Sequence, residues 1–300
     1  MVDAADETVF LTLVRRGSEV ACARVLIESI RLYGGALSDC PIWLFQASPQ
    51  IANVGALGRN DVQILPLALP ETVKGSFFAD KVFACARAEE MVSPRVRSLV
   101  WIDPVCLVIR PPLMLSLGRS VDAAVRPVHI RNVGLHAEGP LDRFWKGICM
   151  SLGARDIRTY VETFVEGERI RSYFNSHAFA VDPSRRLLGR WFERFEALVC
   201  NKRFQDSTCQ DELHRVFLHQ AVFSALLVTE LEPERIRILP PEYNYPYNLH
   251  GSVPVDRQAS VLNDLVTIAY ENRSLDPDTV DDIDILEPLR SWLSDRVGIG

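Results

Sequence analysis

The first half of the chain alternates short apolar runs with longer stretches in which apolar residues recur every three or four positions. The runs predict β-strands and the longer stretches predict α-helices. Strands are expected at residues 8–14, 41–45, 62–67 and 99–103, and helices at residues 20–33 and 77–92. This alternation is typical of a mostly parallel sheet with helices on its faces.

Beyond residue 103 the pattern is less regular. Strands are predicted at residues 123–127, 173–181, 236–239 and 265–270, helices at 141–152, 184–200 and 209–228, and a last amphipathic helix that ends at residue 293. We find no internal repeat, low-complexity tract or flexible linker. The sequence therefore predicts a single α/β domain over residues 1–300.

Composition and charge narrow the range of partners. The chain has 300 residues, 48% of them hydrophobic and 24% charged, as is ordinary for a globular protein. A net charge of -6 argues against a nucleic-acid partner, because phosphate binding needs concentrated Lys and Arg. No apolar stretch reaches membrane-spanning length, and the acidic start lacks the features of a secretion signal. We expect a cytoplasmic protein.

The seven cysteines are scattered and odd in number. Most lie in apolar segments, which predicts reduced core thiols. Cys200 and Cys209 are followed by His214 and His219, but the spacing matches no zinc-binding pattern. We do not predict a zinc site there.

Asp103 is the first candidate for chemistry. It ends the apolar run at residues 98–102, and a carboxylate at the C-terminal end of a buried strand lies where open α/β sheets bind ligands. Two positions later, where a metal-binding Asp-x-Asp pair would have its second acid, the chain has Val105.

Two further segments carry polar groups in apolar surroundings. Gln220 falls in the middle of the apolar face of the helix at 209–228, with His219 toward its edge; it either faces a cleft or is buried against backbone carbonyls. Asn175, Ser176 and His177 begin the strand at 173–181. In a strand Asn175 and His177 point to the same side, as a recognition pair for sugar hydroxyls or as a hydrogen-bonded strand end.

The segment at residues 239–250 is rich in Pro, Tyr and Asn, and it includes Tyr243 and Asn244. Such a segment suits the binding of sugar or nucleoside rings, or it is a loop held over the sheet by Tyr packing. The chain has no glycine-rich phosphate loop, Gly-x-Ser-x-Gly elbow or His-Glu-x-x-His helix. Phosphate-loop NTPases, dehydrogenases, α/β-hydrolases and zincins are therefore disfavoured.

Taken in order along the chain, these segments resemble the GT-A class of nucleotide-diphospho-sugar glycosyltransferases, in particular its family-8 and glycogenin-like branch. The resemblance implies a mixed sheet flanked by helices on both faces, with a nucleotide-binding half at 1–112 and an acceptor half at 113–300. It implies a nucleotide-sugar donor, a small-molecule or glycan acceptor, and often Mn²⁺ or Mg²⁺.

The resemblance also implies site residues. The donor nucleotide is expected near Thr12, Val14, Lys81 and Asp103, and the sugar and acceptor near Asn175, Ser176, His219, Tyr243 and Asn244. The candidate catalytic residues are Asp103, His177 and Gln220.

The chain departs from the family pattern at several positions. Val105 replaces the second acid and offers no oxygen to a hard cation, which puts the metal in doubt. His177 stands where Gly is usual, His219 where Asp is usual, and Ala269 where a late metal-binding His is often found. His250 is the substitute that we consider for that ligand, beside Asp103.

Three functions remain open. The first is a glycosyltransferase whose donor diphosphate is neutralised by Asp103 with one metal ion, or without metal by cations such as Lys81 and Arg15. The second is a non-catalytic nucleotide-sugar binding protein that has lost the metal site. The third is a nucleotidyltransferase. The sequence does not indicate the oligomeric state.

Overall fold

The computed structural model describes residues 7–58 and 62–297. Its strands fall close to the predicted apolar runs, with several short ones added. In chain order they are β1 (Thr8–Val14), β2 (Ile42–Gln46), β3 (Val62–Pro66), β4 (Ser98–Ile102), β5 (Cys106–Val108), β6 (Ala123–Pro127), β7 (Tyr160–Glu162), β8 (Arg169–Arg171), β9 (Phe174–Val181), β10 (Ile236–Ile238), β11 (Tyr245–Pro246) and β12 (Thr267–Ala269).

Seven of these strands form the central sheet, in the order β10-β6-β9-β4-β1-β2-β3. Strand β9 runs antiparallel to both of its neighbours, and the other pairs in the sheet are parallel. The predicted fold class, a mixed and mostly parallel α/β sheet, is confirmed.

Helices cover both faces of this sheet. They are α1 (Glu19–Tyr33), α2 (Ala79–Met91), α3 (Arg143–Ser151), α4 (Leu187–Cys200), α5 (Lys202–Thr208), α6 (Glu212–Glu230) and α7 (Leu289–Val297). The second, fourth and sixth helices pack in sequence on one face, and α1 packs on the other with β1 and β5.

Strand β1 shows why the central strands of the sheet have continuously apolar sequences. Val9, Leu11 and Leu13 pack toward the face of α2, α4 and α6, while Phe10 and Val14 pack toward α1. All seven residues of the strand are buried. A parallel strand with helices on both sides has no face left for solvent.

A smaller sheet lies beside the central one, in the order β11-β12-β5. Its core includes Leu107, Ile268 and, from α7, Leu289, Trp292 and Leu293. The closing helix thus packs on its own chain. Our prediction that this helix ends at residue 293 is wrong, because it runs from Leu289 to Val297.

Other boundaries also differ. The predicted helix at 209–228 begins at Glu212, and Leu213 in its first turn is 46% exposed instead of facing the core. Asp211 caps the N-terminus of this helix, because its side chain accepts a hydrogen bond from the backbone N–H of His214. The strand expected at 265–270 is shorter and belongs to the smaller sheet.

The prediction of reduced core thiols is only partly confirmed. All seven cysteines are free and five are buried, but Cys200 is exposed and is no core thiol.

The acidic residues 1–6, on which the absence of a secretion signal rests, lie outside the described residues. Within the described ranges, no helix has both the length and the apolar character needed to cross a bilayer.

Candidate functional site

A cavity of about 490 Å³ opens at the edge of the central sheet where the parallel strands end. Strands β1, β4 and β6 deliver the residues that follow them to this edge. Because β9 is antiparallel, its first residues lie at the same edge. Seven predicted site residues line the cavity together: Lys81, Asp103, Asn175, Ser176, His177, His219 and Gln220.

Asp103 is engaged on both carboxylate oxygens. Its Oδ2 lies 2.7 Å from the Lys81 Nζ, and its Oδ1 accepts a hydrogen bond of 2.8 Å from the indole N–H of Trp101. The Lys81 and Asp103 side chains are only 1% and 6% exposed. An ion pair so far removed from water is held by its hydrogen bonds as much as by its charges.

All three N–H donors of the Lys81 ammonium group are used in hydrogen bonds within the protein. Besides Asp103, its ammonium donates to the backbone carbonyl of Ser176 at 2.9 Å and to the Ser176 hydroxyl at 3.4 Å. An ammonium group has three N–H donors. Lys81 therefore fixes the start of β9 against Asp103 and contributes its charge to the cavity without a free N–H.

The resemblance raises the question of a divalent metal ion at Asp103, and the available ligands do not fit one. Both Asp103 oxygens are already engaged, and Val105 has an apolar side chain. At His250 the Nε2–H donates to the Asp282 carbonyl at 3.0 Å, and Nδ1 accepts from the Tyr245 hydroxyl at 2.8 Å. His250 thus has no free lone pair, which argues against the predicted ligand.

In residues 7–58 and 62–297, no three Asp, Glu, His or Cys side chains are grouped so that they could hold a metal ion. This covers the considered cluster of Cys200, Cys209, His214 and His219 as well.

Ser176, His219 and Gln220 form a buried hydrogen-bonded group on the wall of the cavity. The Ser176 hydroxyl lies 3.1 Å from His219 Nε2 and 3.2 Å from the Gln220 side-chain oxygen. His219 Nδ1 donates to the Val216 carbonyl at 2.8 Å, which leaves Nε2 as an acceptor. Burial holds the pKa of His219 well below its ordinary value, and the Lys81 charge lowers it further.

His177 is the exposed member of the predicted catalytic set, with 27% of its side chain accessible. Asn175 lies on the same side of β9, as predicted, and its side-chain oxygen is 3.0 Å from His177 Nδ1. Glu271 approaches from the other side, with its Oε1 3.4 Å from His177 Nε2.

Cations that follow β1 line the mouth of the cavity. Arg15 pairs with Asp80 at 2.6 Å and with Glu19 at 3.7 Å, and one of its terminal nitrogens is buried without a hydrogen-bond partner among the described residues. The Arg16 side chain is 77% exposed and lies 3.4 Å from Glu19. The Phe78 ring lies beneath the Arg15 guanidinium, 5.4 Å from it.

The structure does not bring every predicted residue to the cavity. Thr12 and Val14 are buried in β1, ahead of Arg15. Tyr243 accepts a hydrogen bond from the backbone N–H of Met114. Asn244 is fully buried, and its backbone N–H donates to the Thr267 hydroxyl at 2.7 Å. These four residues and His250 are not among those that line the cavity.

Sequence reasoning missed several residues of the cavity wall. Glu271 follows β12, just after Ala269, and a search for polar residues beyond each predicted strand would have found it. His129 follows β6 in the same way; it is 6% exposed, and burial holds its pKa well below the ordinary value. Phe78 has no comparable signal, because its role depends on a left-handed backbone conformation at the start of α2.

The chain has the GT-A fold, and several solved glycosyltransferases share its arrangement of strands and helices. The galactosyltransferase LgtC, crystallised with donor and acceptor sugar analogs, is 11% identical, with 97% of this chain and 95% of LgtC covered and a TM-score of 0.55. At this level of identity the likeness concerns the fold alone.

Two further structures agree. Mouse xyloside xylosyltransferase 1, in its apo form, is 13% identical over 88% of this chain and 98% of its own, with a TM-score of 0.50. The glycosyltransferase GlyE of Streptococcus pneumoniae TIGR4 is 12% identical over 97% of this chain and 60% of its own, with a TM-score of 0.51. No protein-family model matches the sequence, and neither does any curated protein.

Proposed function

We propose that this protein transfers a sugar from a nucleotide-diphospho-sugar donor to an acceptor hydroxyl, within the cavity at the ends of β1, β4 and β6. The observation that supports this most is the convergence, in a GT-A fold, of seven residues expected from the sequence on one cavity. Ligands in open α/β sheets bind at this edge.

The donor diphosphate is neutralised by arginines in this proposal. Arg15 and Arg16 line the cavity mouth, and Arg15 has a buried terminal nitrogen with no hydrogen-bond partner in the described part of the chain. A guanidinium matches phosphate oxygens with paired N–H donors. Because the ligands at Asp103 do not fit a divalent cation, no step of the proposal passes through a metal.

The sugar is held by neutral polar groups. Asn132, Asn175, Gln220 and Asn248 all line the cavity, and amides both donate to and accept from hydroxyl groups. Phe78 adds an apolar ring surface for a sugar or base. The predicted roles of Asn175 and Gln220 near the sugar stay predictions, as do those of Thr12 and Val14 near the nucleotide.

The first experiment is a thermal-stability screen of the purified protein against nucleoside diphosphates and nucleotide sugars, each with EDTA, Mn²⁺ or Mg²⁺. A ligand at a hundred times its Kd stabilises the native state by about 2.7 kcal/mol, which is visible as a melting shift. We expect a shift with one nucleotide that is equally large in EDTA. No shift with any nucleotide contradicts the proposed function.

Arg15→Gln tests the role of the arginines. Losing a charge-assisted contact to phosphate should weaken nucleotide binding roughly tenfold, since such a contact contributes about 1.5–3 kcal/mol. The matched control is Arg87→Gln on α2, because Arg87 is exposed and pairs with Glu90 away from the cavity. Unchanged affinity in Arg15→Gln would place the diphosphate elsewhere.

A non-catalytic nucleotide-sugar binding protein is the second candidate, favoured by one observation. Asp103, the acid that the resemblance places at the donor diphosphate, has both carboxylate oxygens hydrogen-bonded within the protein, to Lys81 and Trp101. Under this alternative the melting shift persists, but no donor is hydrolysed or transferred under any metal condition.

A further inference from the structure

Two hydrogen-bond acceptors face each other in the cavity. His177 Nε2 and Glu271 Oε1 lie 3.4 Å apart, and both residues line the cavity wall. The His177 and Glu271 side chains are 27% and 40% exposed, so a ligand in the cavity can reach both of them.

Asn175 determines which ring nitrogen of His177 carries the proton. Its side-chain oxygen accepts the backbone N–H of His177 at 2.7 Å, which identifies that atom as an acceptor. The same oxygen lies 3.0 Å from His177 Nδ1, so Nδ1 must be the protonated nitrogen. In the neutral ring, Nε2 therefore presents a lone pair toward Glu271.

Burial is the main reason why the pKa of His177 is lowered, which favours the neutral ring. Burial lowers the pKa of His177, the charge of Asp103 raises it, Lys81 lowers it, and Glu271 raises it. His129 and His219, which face the ring from β6 and α6, are themselves held neutral by burial. A neutral imidazole with a free lone pair is the form that accepts a proton.

Glu271 is held at the cavity rim by its backbone. The preceding N–H, that of Tyr270, donates to the Val105 carbonyl at 3.0 Å. Glu271 itself has a φ of 47°, in the left-handed region that residues with a side chain rarely adopt. Strained backbone of this kind persists where the surrounding structure enforces it, and it is frequent at functional sites.

We propose that His177 and Glu271 together accept the proton of the acceptor hydroxyl; this rests on the proposed function. A lone pair and a carboxylate oxygen repel each other at this distance unless one hydrogen-bond donor, placed beside both atoms, is shared by them. A hydroxyl group supplies that donor. Glu271 then stabilises the imidazolium that forms, as a carboxylate beside a catalytic histidine does.

The reaction is a single displacement at the anomeric carbon. The acceptor O–H bond breaks and an Nε2–H bond forms on His177. The acceptor oxygen forms its bond to the anomeric carbon of the donor sugar, and the bond from that carbon to the diphosphate oxygen breaks. The electron pair of the broken bond leaves with the nucleoside diphosphate.

Donor hydrolysis, with water as the acceptor, tests this without knowledge of the natural acceptor. The probes are nucleotide-diphospho-sugars, and the readout is released nucleoside diphosphate. We expect His177→Gln to lower the rate about 100-fold or more, and Glu271→Gln about tenfold, since general-base catalysis contributes roughly 10²–10⁴-fold. Asp211→Asn is the matched control, because it removes a carboxylate beside His214 outside the cavity.

The pH profile separates a chemical role from a structural one. The rate of the wild type should fall as the pH is lowered and Nε2 becomes protonated. Because the Glu271 charge raises the pKa of His177, Glu271→Gln should move this acid limb to lower pH. Rates within twofold of wild type in both variants, with the limb unmoved, overturn the proposal but leave the proposed function intact.

Two other outcomes are decisive. A wild-type protein that hydrolyses no donor contradicts the proposed transfer and the proton acceptor with it. A histidine and a carboxylate can also hold a metal ion, so the NMR signals of the His177 ring should be followed during addition of Mn²⁺ alone. Broadening in the wild type that is lost in Glu271→Gln overturns the proposal, because the lone pair would then serve a metal.

Discussion

At the scale of single residues, the contact between Lys81 and Asp103 is the one on which the cavity depends most. Both side chains are nearly inaccessible, and each satisfies other hydrogen bonds as well. Removing one member of such a pair leaves an uncompensated charge away from water. The resulting cost exceeds the net stabilisation that the intact pair provides.

We therefore predict that Lys81→Met lowers the free energy of unfolding by about 3–5 kcal/mol, which is typical of breaking a buried pair. Chemical denaturation followed by circular dichroism measures this. Lys74→Met is the control, since Lys74 pairs with Glu71 on the surface and its loss should change stability by less than about 1 kcal/mol. Equal stability of the two variants would contradict the buried pair.

The same residues show what the sequence could and could not predict about the site. Asp103 was found because a carboxylate that ends an apolar run is a local pattern. Its partner Lys81 is 22 positions away, and the hydrogen bonds that engage both Asp103 oxygens follow from tertiary packing. Glu271 reaches His177 from 94 positions along the chain, and no local pattern predicts that contact.

At the scale of elements, helix α4 begins in an unusual way. Arg186 at its N-terminus has a φ of 55° and provides no side-chain cap. Instead Glu89 of α2 accepts the backbone N–H of Leu188 at 3.0 Å and that of Gly189 at 2.8 Å. A carboxylate from one helix thus satisfies the free N–H groups of another, which joins α2, the helix of Lys81, to α4.

We predict that Glu89→Ala costs roughly 1–3 kcal/mol of stability, the penalty for leaving buried N–H groups unsatisfied. Amide hydrogen exchange in the first turn of α4 should also become faster. The neighbouring Glu90→Ala is the control, because Glu90 is exposed and pairs with Arg87 on the surface. If both variants exchange alike, α4 does not depend on Glu89.

Elements were predictable in proportion to their length and burial. β1 and β4 are buried over their whole length and appear as continuous apolar runs, so their positions were predicted nearly to the residue. β5, β11 and β12 have two or three residues each, too few for a periodic pattern. The antiparallel direction of β9 was not visible in its own composition, because it depends on its neighbours.

At the scale of the whole molecule, three histidines line one cavity, and the surroundings of each favour its neutral form. Burial lowers the pKa values of His129, His177 and His219, those of His129 and His219 most strongly. In the unfolded chain each titrates near its ordinary pKa of about 6.5. Below that pH the unfolded state binds more protons than the native state, so lowering the pH destabilises the fold.

We predict that the free energy of unfolding is constant above about pH 7 and falls as the pH is lowered through about 6.5 toward 5. Each histidine contributes at most about 1.4 kcal/mol per pH unit. Carboxylates with lowered pKa values, such as Asp122, act only at lower pH. His219→Gln should flatten the slope in this window. Urea denaturation at pH 7.5, 6.5 and 5.5 measures the slope, and equal stability at all three values would mean that the cavity accommodates charged histidines.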